Sequence, residues 1–576
     1  MYLDDTANFS SKKSIYYSNF FKIDELEASS FSFENEKYRE YEVEEFKYKD
    51  ELDESFYDDN YSINFIYPNL RRGSKTRLKY VKQIKNPRFL SPFYFGDFFP
   101  IIKNKVIIIA DEEIDLEFIN FNTDDISLHF EKKNKRGKNI YTWEANSVEE
   151  YKHETNSPSY AAVLPHVIPK IVSYTIKGET KELSKDVSNL YNWYFSLIKD
   201  INTIESDPEL VKVVENIVSK EKTDLDKVKA LYYWAQQNIK YIAFEYALGG
   251  FVPREANDVF KKKYGDCKDN SSVLKEMLEI AGLKGQITWI GTRSIPYSYK
   301  EVPLPIVDNH MILTYTTDEG TTYFLDATGR YTPFGFPTSF IQGKEALIAN
   351  GVDEFLIKKV PIIPSDKNSY QDLSKLTILN GELLGITNAE VSGYKKRNFF
   401  QDIESLIDTS KIKNYYNTEL RKGSNKFIID SIVEKNKYDY DKNFELEFTF
   451  KIQNYVKDIG NEIYVNLNLN KPLWNFKIED DRKNDIDFDF KDQYIFKSSL
   501  EIPEGYRVDY IPNNVNMSNE YLSFSILYEV NEDRIIYEHI MSSNFLRLTI
   551  AQQKEVNNFI KKAESSYNEV VVLKKI

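Results

Sequence analysis

The sequence contains a single cysteine, Cys267. One cysteine excludes an intramolecular disulfide and every zinc site that is built from several cysteines. Histidine is also scarce, and no two of the five histidines lie at the spacing of about three to five residues that places two metal ligands on one helical face. The sequence therefore predicts no resident metal and no cofactor.

Long apolar runs are missing as well. The densest run, around residues 106–110, is far shorter than the roughly 20 apolar residues that cross a bilayer. No membrane-spanning segment is expected. The first 25 residues carry charged side chains and no continuous apolar stretch of signal-peptide length, so a secretory signal is not expected in this sequence.

The sequence has no excess of positive charge either. It contains 76 Lys and Arg residues and 90 Asp and Glu residues, which gives a net charge of −14. Proteins that mainly neutralise nucleic-acid phosphates carry the opposite balance. The short basic clusters at residues 71–75 and 132–136 are interpreted as solvent-exposed surface turns. A nucleic-acid partner is not expected.

The chain does have the length and apolar content for several folded domains, with 576 residues and 15% aromatics. Short aromatic and β-branched runs predict a β-rich domain over residues 1–190. Helical spacings then begin, and residues 191–355 are predicted as an α+β domain. Alternating patterns return in residues 356–576, which are predicted as a β-rich domain with a short helix near the end.

The surroundings of Cys267 are the most informative part of the sequence. A polar loop at residues 264–266 leads into apolar residues at helical spacing, and Gly282 provides a helix stop. Cys267 is therefore predicted in the first turn of a helix. Free backbone N–H groups and the helix dipole at that place favour a thiolate, and the same N–H groups can hold an oxyanion.

A cysteine nucleophile needs a base and a group that orients the base. His310 lies in a strand-like run, and residues 323–329 form a second one, with Gly320 as the turn of a predicted hairpin. Asp326 would then lie beside His310 and fix its tautomer. Asp308, two residues before His310, competes for the same role, and spacing alone leaves the choice open.

The three segments around Cys267, His310 and Asp326, in this order, resemble the transglutaminase-like superfamily. The resemblance is greatest to a bacterial branch in which β-rich domains of unknown function lie on both sides of the core, and it extends to Phe251-Val252-Pro253-Arg254 and Pro333-Phe334-Gly335. It implies that Cys267 is the nucleophile, His310 the acid and base, and Asp326 its orienting carboxylate. The implied fold is α+β, a papain-like transglutaminase core between an N-terminal and a C-terminal β-sandwich domain.

The activity implied by the resemblance is acyl transfer on amide or peptide bonds, with hydrolysis favoured over cross-linking. The implied partner is a protein, a peptide or a cell-wall peptide as substrate. The side chain that completes the oxyanion site has no clear counterpart, and Gln236, Gln237 and Tyr241 are the candidates.

Two further expectations complete the interpretation. Relatives in this branch are usually exported, which predicts a periplasmic protein, with the cytoplasm as the alternative. The competing hypothesis on function is a catalytically inactive scaffold whose β-sandwich domains bind protein or glycan partners.

Overall fold

The architecture comes from a computed structural model of the chain. It describes residues 2, 10–18, 21–50, 56–58, 61–245, 250–406, 408–474 and 476–576. The helices, in chain order, are α1 (Tyr160–Val163), α2 (Val187–Ile198), α3 (Pro208–Val218), α4 (Asp224–Asn238), α5 (Ala256–Lys262), α6 (Cys267–Ile280), α7 (Gly393–Ser405), α8 (Thr409–Glu419) and α9 (Ile550–Ser566).

The strands occur both before and after helix α6. Before α6 they are β1 (Lys12–Tyr17), β2 (Phe21–Glu34), β3 (Lys37–Glu42), β4 (Lys47–Asp50), β5 (Phe56–Asp58), β6 (Tyr61–Ile66), β7 (Lys75–Ile84), β8 (Phe93–Tyr94), β9 (Ile101–Asp111), β10 (Ile114–Phe121), β11 (Leu128–Lys135), β12 (Lys138–Val148), β13 (His166–Ile176), β14 (Glu179–Glu182), β15 (Lys240–Tyr241), β16 (Ala243–Glu245) and β17 (Tyr264–Gly265). After α6 they are β18 (Gly285–Ile290), β19 (His310–Thr316), β20 (Thr322–Leu325), β21 (Glu345–Gly351), β22 (Glu354–Lys359), β23 (Ser369–Leu379), β24 (Glu382–Val391), β25 (Phe427–Lys435), β26 (Phe444–Ile452), β27 (Lys457–Ile459), β28 (Glu462–Val465), β29 (Ile486–Asp487), β30 (Asp492–Glu501), β31 (Tyr506–Tyr510), β32 (Val515–Ser518), β33 (Leu522–Val530), β34 (Arg534–Ser543), β35 (Arg547–Leu548) and β36 (Val571–Lys575).

The chain forms two compact units. The first contains residues 1–151, 164–328 and 345–358, and the second contains residues 152–163, 329–344 and 359–576. The amino-terminal part of the first unit consists of small antiparallel sheets, among them β3-β2-β7 and β11-β12-β9. Strand β12 alternates buried and partly exposed residues, as expected of strands with one face on a core.

The remainder of the first unit holds a five-stranded sheet, in the order β20-β19-β18-β21-β22. Helix α6 packs against β18 and β19 through the fully buried side chains Val273, Leu274, Met277 and Leu278. These residues recur at helical spacing, which gives α6 a continuous apolar face toward the sheet. Gly282 follows the helix with a φ of 75°, a left-handed conformation that favours glycine.

Helices α2, α3 and α4 lie where the apolar spacing predicts helices, and their first turns explain where they begin. The N-cap Thr223 of α4 accepts a hydrogen bond from the backbone N–H of Asp226 at 3.1 Å, and Asp186 caps α2 in a capping box. These side chains satisfy N–H groups that a helix leaves free at its start. The predicted apolar face of α4 is buried at Val228, Leu231, Tyr232 and Ala235.

The second unit is built on an eight-stranded sheet, in the order β25-β26-β24-β23-β30-β34-β33-β32. Helix α9 and strand β36 lie where the pattern near the end of the chain predicts a helix and a strand. Helices α7 and α8 were not predicted, because their segments mix aromatic and charged residues without a clear helical pattern. Tertiary packing of Tyr394, Phe399, Phe400 and Ile403 stabilises α7 instead.

The predicted fold class is confirmed. The protein is a strand-rich α+β protein whose central α+β region lies between β-rich amino- and carboxyl-terminal regions. Among the described helices, none combines the length and the apolar character that a bilayer crossing requires.

Acid is expected to destabilise the second unit through His539. This side chain on β34 is fully buried, and its Nδ1 and Nε2 lie 2.9 Å from the Ser525 carbonyl oxygen and 3.1 Å from the Tyr567 hydroxyl oxygen. Burial lowers the pKa of His539 to about 4. Since an unfolded histidine titrates near 6.5, the unfolded state binds more protons between the two values, and the free energy of unfolding falls by up to about 3 kcal/mol as the pH decreases from 6.5 to 4.

Urea unfolding at several pH values measures this loss. His539→Gln should flatten the pH dependence over this interval, because glutamine does not titrate. The matched control is His153→Gln, which removes an exposed histidine of the same unit and should leave the dependence unchanged. Equal slopes in the unmodified chain and in His539→Gln would refute the assignment.

Candidate active site

Cys267 is the first residue of helix α6, as predicted, and it is half-buried. The N-cap Asp266 accepts hydrogen bonds from the backbone N–H groups of Lys268 and Asp269 at 3.1 and 3.2 Å. Asp269 in turn accepts from the backbone N–H of Asp266 at 3.1 Å. This capping box fixes the helix start on which the thiol is carried.

Arg254, which lies outside helix α6, binds the first turn of the helix through Asp269. Its Nε and one terminal nitrogen donate to Asp269 Oδ2 at 3.0 and 2.7 Å, and its backbone N–H donates to Asp269 Oδ1 at 2.9 Å. The terminal nitrogen also donates to the Tyr264 carbonyl oxygen at 2.8 Å. Because Asp269 is fully buried, these charge-assisted bonds hold the residues on both sides of Cys267 in one arrangement.

Gly265 is required by the same packing. A Cβ atom at this position would lie 2.5 Å from the Cβ atom of Asp269, so a larger residue would displace the Arg254–Asp269 pair. The sequence reasoning missed the role of this pair. The sequence contained one signal for it, the Asp-x-x-Asp capping pattern formed by Asp266 and Asp269, with Arg254 lying 15 residues before Asp269.

The structure places the three candidate oxyanion donors differently. Gln236 is buried on α4, whereas Gln237 is exposed. Tyr241 lies on β15, which pairs in parallel with β17, so that Tyr241 is opposite Gly265. Of the three, Tyr241 is therefore the one held by backbone pairing next to the turn that carries Cys267.

His310 and Asp326 meet as the hairpin predicts. Strands β19 and β20 are antiparallel neighbours, and His310 Nε2 lies 2.8 Å from Asp326 Oδ2. Asp326 is fully buried, and its Oδ1 accepts from the backbone N–H and the hydroxyl of Thr328 at 3.2 and 2.6 Å. The Tyr232 hydroxyl donates to the Asp326 carbonyl oxygen at 3.1 Å, so both ends of this residue are fixed.

The Cys267 side chain also interacts with His310. Burial lowers the pKa of His310, but the negative charge and hydrogen bond of Asp326, together with the interaction with Cys267, outweigh it and raise the pKa well above the ordinary value of 6.5. The protonated form of the imidazole is therefore favoured. The arrangement can thus stabilise a thiolate beside an imidazolium.

Asp308, the competing carboxylate, has other partners. It accepts a hydrogen bond from the hydroxyl of Tyr299, and its charge acts on the nearby Tyr194. Both tyrosines are almost completely buried. Burial and the charge of Asp308 raise the pKa of both tyrosines well above 10. Asp308 therefore anchors the segment that leads into β19, whereas His310 Nε2 is paired with Asp326.

Comparisons with known proteins agree with this architecture. Residues 211–293 match the transglutaminase-like superfamily, and residues 4–152 and 461–573 match two domains of unknown function, DUF3857 and DUF3858, for which structures have been solved. No curated protein matches the sequence.

Two solved structures are similar to the chain. A "putative protease" from Parabacteroides distasonis ATCC 8503 aligns over 99% of this chain and 92% of its own, with 12% identity and a TM-score of 0.64, which establishes a common fold. A "putative cysteine protease" from Cytophaga hutchinsonii aligns over 55% of this chain and 79% of its own, with 11% identity and a TM-score of 0.19, too loosely to support a conclusion. The chain thus carries, between two β-rich domains of unknown function, a domain that belongs to the transglutaminase-like superfamily.

Proposed function

We propose that this protein is a cysteine acyl-transfer enzyme that acts on amide or peptide bonds and transfers the acyl group to water. Cys267 is the nucleophile, His310 the acid and base, and Asp326 the residue that orients His310. The observation that carries the proposal is the position of His310, whose Nε2 lies 2.8 Å from Asp326 Oδ2 and whose pKa is raised by interactions with both Asp326 and Cys267. The catalytic core in this proposal spans residues 191–355.

The first half of the reaction forms a thioester. The Cys267 thiolate attacks the carbonyl carbon, and backbone N–H groups at the start of α6 stabilise the oxyanion. The carbon–nitrogen bond then breaks, and His310 gives its proton to the leaving amine. Asp326 keeps the ring nitrogen that faces Cys267 available for this transfer, since it holds the opposite nitrogen.

The second half regenerates the enzyme. Neutral His310 takes a proton from a water molecule, and the resulting hydroxide attacks the thioester carbon. The carbon–sulfur bond breaks, the thiolate and imidazolium are restored, and the acyl group leaves as a carboxylic acid that gives its remaining proton to solvent. We favour hydrolysis over transfer to an amine because a solved structure with the same fold is described as a "putative protease".

The test is the reactivity of the only thiol. We expect iodoacetamide to alkylate Cys267 rapidly at pH 6.5, whereas a cysteine without a charged partner reacts mainly above about pH 8. His310→Ala should slow alkylation at pH 6.5 by at least about tenfold, because the imidazolium that stabilises the thiolate is lost. Mass spectrometry of the alkylated chain measures both rates.

His129→Ala is the matched control, because His129 is exposed on β11, and this variant should react like the unmodified chain. Slow alkylation of the unmodified chain at pH 6.5, unchanged by His310→Ala, would refute the proposal and favour the inactive scaffold. Rapid alkylation would justify a screen of peptide amides, in which Cys267→Ala must abolish all turnover.

A further inference from the structure

The second unit contains a cavity of about 340 Å³ that takes no part in the proposed reaction. Its floor is aromatic and is formed by two neighbouring parallel strands, β23 and β30, on which Tyr370 lies directly beside Tyr494. Phe496 follows on the same face, and its ring is stacked with that of Tyr494 at a centroid distance of 6.0 Å. A cavity of this size, with an aromatic surface on one side, lies within the range of small-ligand sites, which begin at roughly 300 Å³.

The walls of the cavity come from two helices. Helix α7 contributes Lys395, Phe399 and Asp402, which are separated by four and three residues and so share one helical face. Helix α8 contributes Tyr415 and Glu419, again four residues apart. Three separate elements therefore converge on one space, with aromatic rings below and carboxylates at the sides.

Part of this lining already binds an ammonium group of the protein itself. Lys395 Nζ lies 2.6 Å from Asp492 Oδ2 and 3.7 Å from the centroid of the Tyr494 ring. The Lys395 side chain is largely buried in this position. One carboxylate and one aromatic face thus act together on a cation, a combination that stabilises ammonium groups removed from water.

The other two carboxylates of the cavity form no ion pair with a lysine or arginine among the described residues. Asp402 accepts a hydrogen bond from the Tyr415 hydroxyl at 3.0 Å. Burial and the nearby charge of Asp402 raise the pKa of Glu419, and the charge of Lys395, which is engaged by Asp492, offsets only part of this. Both residues are exposed at the rim, so the cavity presents two negative charges where it opens to solvent.

We propose that this cavity binds an organic cation in which an ammonium group is carried on an apolar stem, as in a lysine side chain or an alkyl diamine. The stem would lie on the aromatic floor, and the ammonium group would be held by Asp402 and Glu419. The aromatic surface favours such a ligand over a simple metal ion, because the stem gains contact area and the cation gains the ring faces.

Calorimetric titration of the full chain with cadaverine tests the proposal. We expect saturable binding that is weakened at least tenfold in the double variant Asp402→Asn/Glu419→Gln, which keeps the shapes and hydrogen-bonding atoms but removes both charges. Pentan-1-ol, which has the same stem without the charges, should not saturate the site. Nα-acetyl-lysine methylamide is the second ligand: tighter binding than cadaverine indicates a peptide-borne lysine, and weaker binding a free amine.

The matched control is Asp458→Asn, which removes an exposed carboxylate on β27 of another sheet in the same unit and should bind cadaverine like the unmodified chain. Absence of saturable binding to the unmodified chain, or equal affinity in the double variant, would overturn the proposal, as would equal binding of pentan-1-ol. Circular dichroism confirms that each variant is folded. The titration does not depend on Cys267, so its outcome is independent of the proposed activity.

Discussion

The Asp326→Asn variant is expected to hydrolyse peptide amides about 10²–10⁴-fold more slowly than the unmodified chain. The replacement keeps the size of the side chain but changes one oxygen into an NH₂ group. The loss is measured as kcat/KM on the peptide amide that the unmodified chain cleaves fastest. Alkylation of Cys267 at pH 6.5 should fall in parallel, which separates an effect on the thiol from an effect on substrate binding.

The direction of this effect follows from Thr328. Its backbone N–H and hydroxyl both donate to Asp326 Oδ1, so the remaining oxygen of an asparagine must take this place. The NH₂ group then faces His310 Nε2 and donates to it, because Oδ2 is the atom that now contacts this nitrogen. His310 can then no longer carry a proton on Nε2, so the imidazolium cannot form. The only ring proton lies on the nitrogen that faces Cys267, and this nitrogen cannot act as a base.

Asp308→Asn is the control for this variant. Asp308 lies two residues from His310, but it accepts a hydrogen bond from the Tyr299 hydroxyl, and an asparagine oxygen can still accept from a hydroxyl. We expect at most a small change in alkylation and turnover. If Asp308→Asn were as damaging as Asp326→Asn, the orienting role would have to be assigned again.

The sequence was sufficient to predict the elements whose apolar spacing is regular and whose ends carry local signals. Helix α4 has both, with Thr223 as its cap and a buried face at helical spacing. Helix α6 likewise begins at Cys267 and is followed by Gly282. Such elements are determined largely by residues within four positions of one another, which a single sequence displays directly.

Features that depend on distant residues could not be predicted in the same way. The choice between Asp308 and Asp326 depends on how β19 pairs with β20 and on which carboxylate accepts a hydrogen bond from a tyrosine hydroxyl. The spacing of nearby residues reveals neither. Arg254 and Asp269 are 15 residues apart, and the capping pattern at Asp266 and Asp269 does not indicate which distant residue pairs with Asp269. The resemblance to a family selected Asp326, and the hydrogen bond of 2.8 Å between Asp326 and His310 gives a physical reason for that choice.

Dependence on distant residues also explains why helices α7 and α8 were not predicted. Helices α7 and α8 contain many aromatic residues, which favour strands as readily as helices. Their helical conformation depends on burial against the eight-stranded sheet, a property of the folded unit. The cavity that they form with β23 and β30 was for that reason not predicted either.

A second large effect is expected at a buried ion pair in the second unit, Lys422 and Asp372. Lys422 Nζ lies 2.7 Å from Asp372 Oδ2, and it donates to the hydroxyls of Ser374 and Thr387 at 2.8 Å each. Both charged side chains are almost completely buried. Asp372→Asn should lower the free energy of unfolding by about 3–5 kcal/mol, because it leaves an ammonium group in the interior without its counter-charge.

Urea unfolding of both single variants and of the double variant decides whether the pair or the single charges determine stability. Lys422→Met should cost a similar amount, because it leaves the Asp372 carboxylate buried. The double variant Asp372→Asn/Lys422→Met contains neither charge, and the Ser374 and Thr387 hydroxyls can still bond each other at 2.8 Å, so it should be more stable than either single variant. The exposed pair of Lys435 and Glu447 is the control, since Lys435→Met should cost less than about 1 kcal/mol. Additive losses in the double variant would mean that Lys422 and Asp372 contribute independently, and the interior would then tolerate either charge alone.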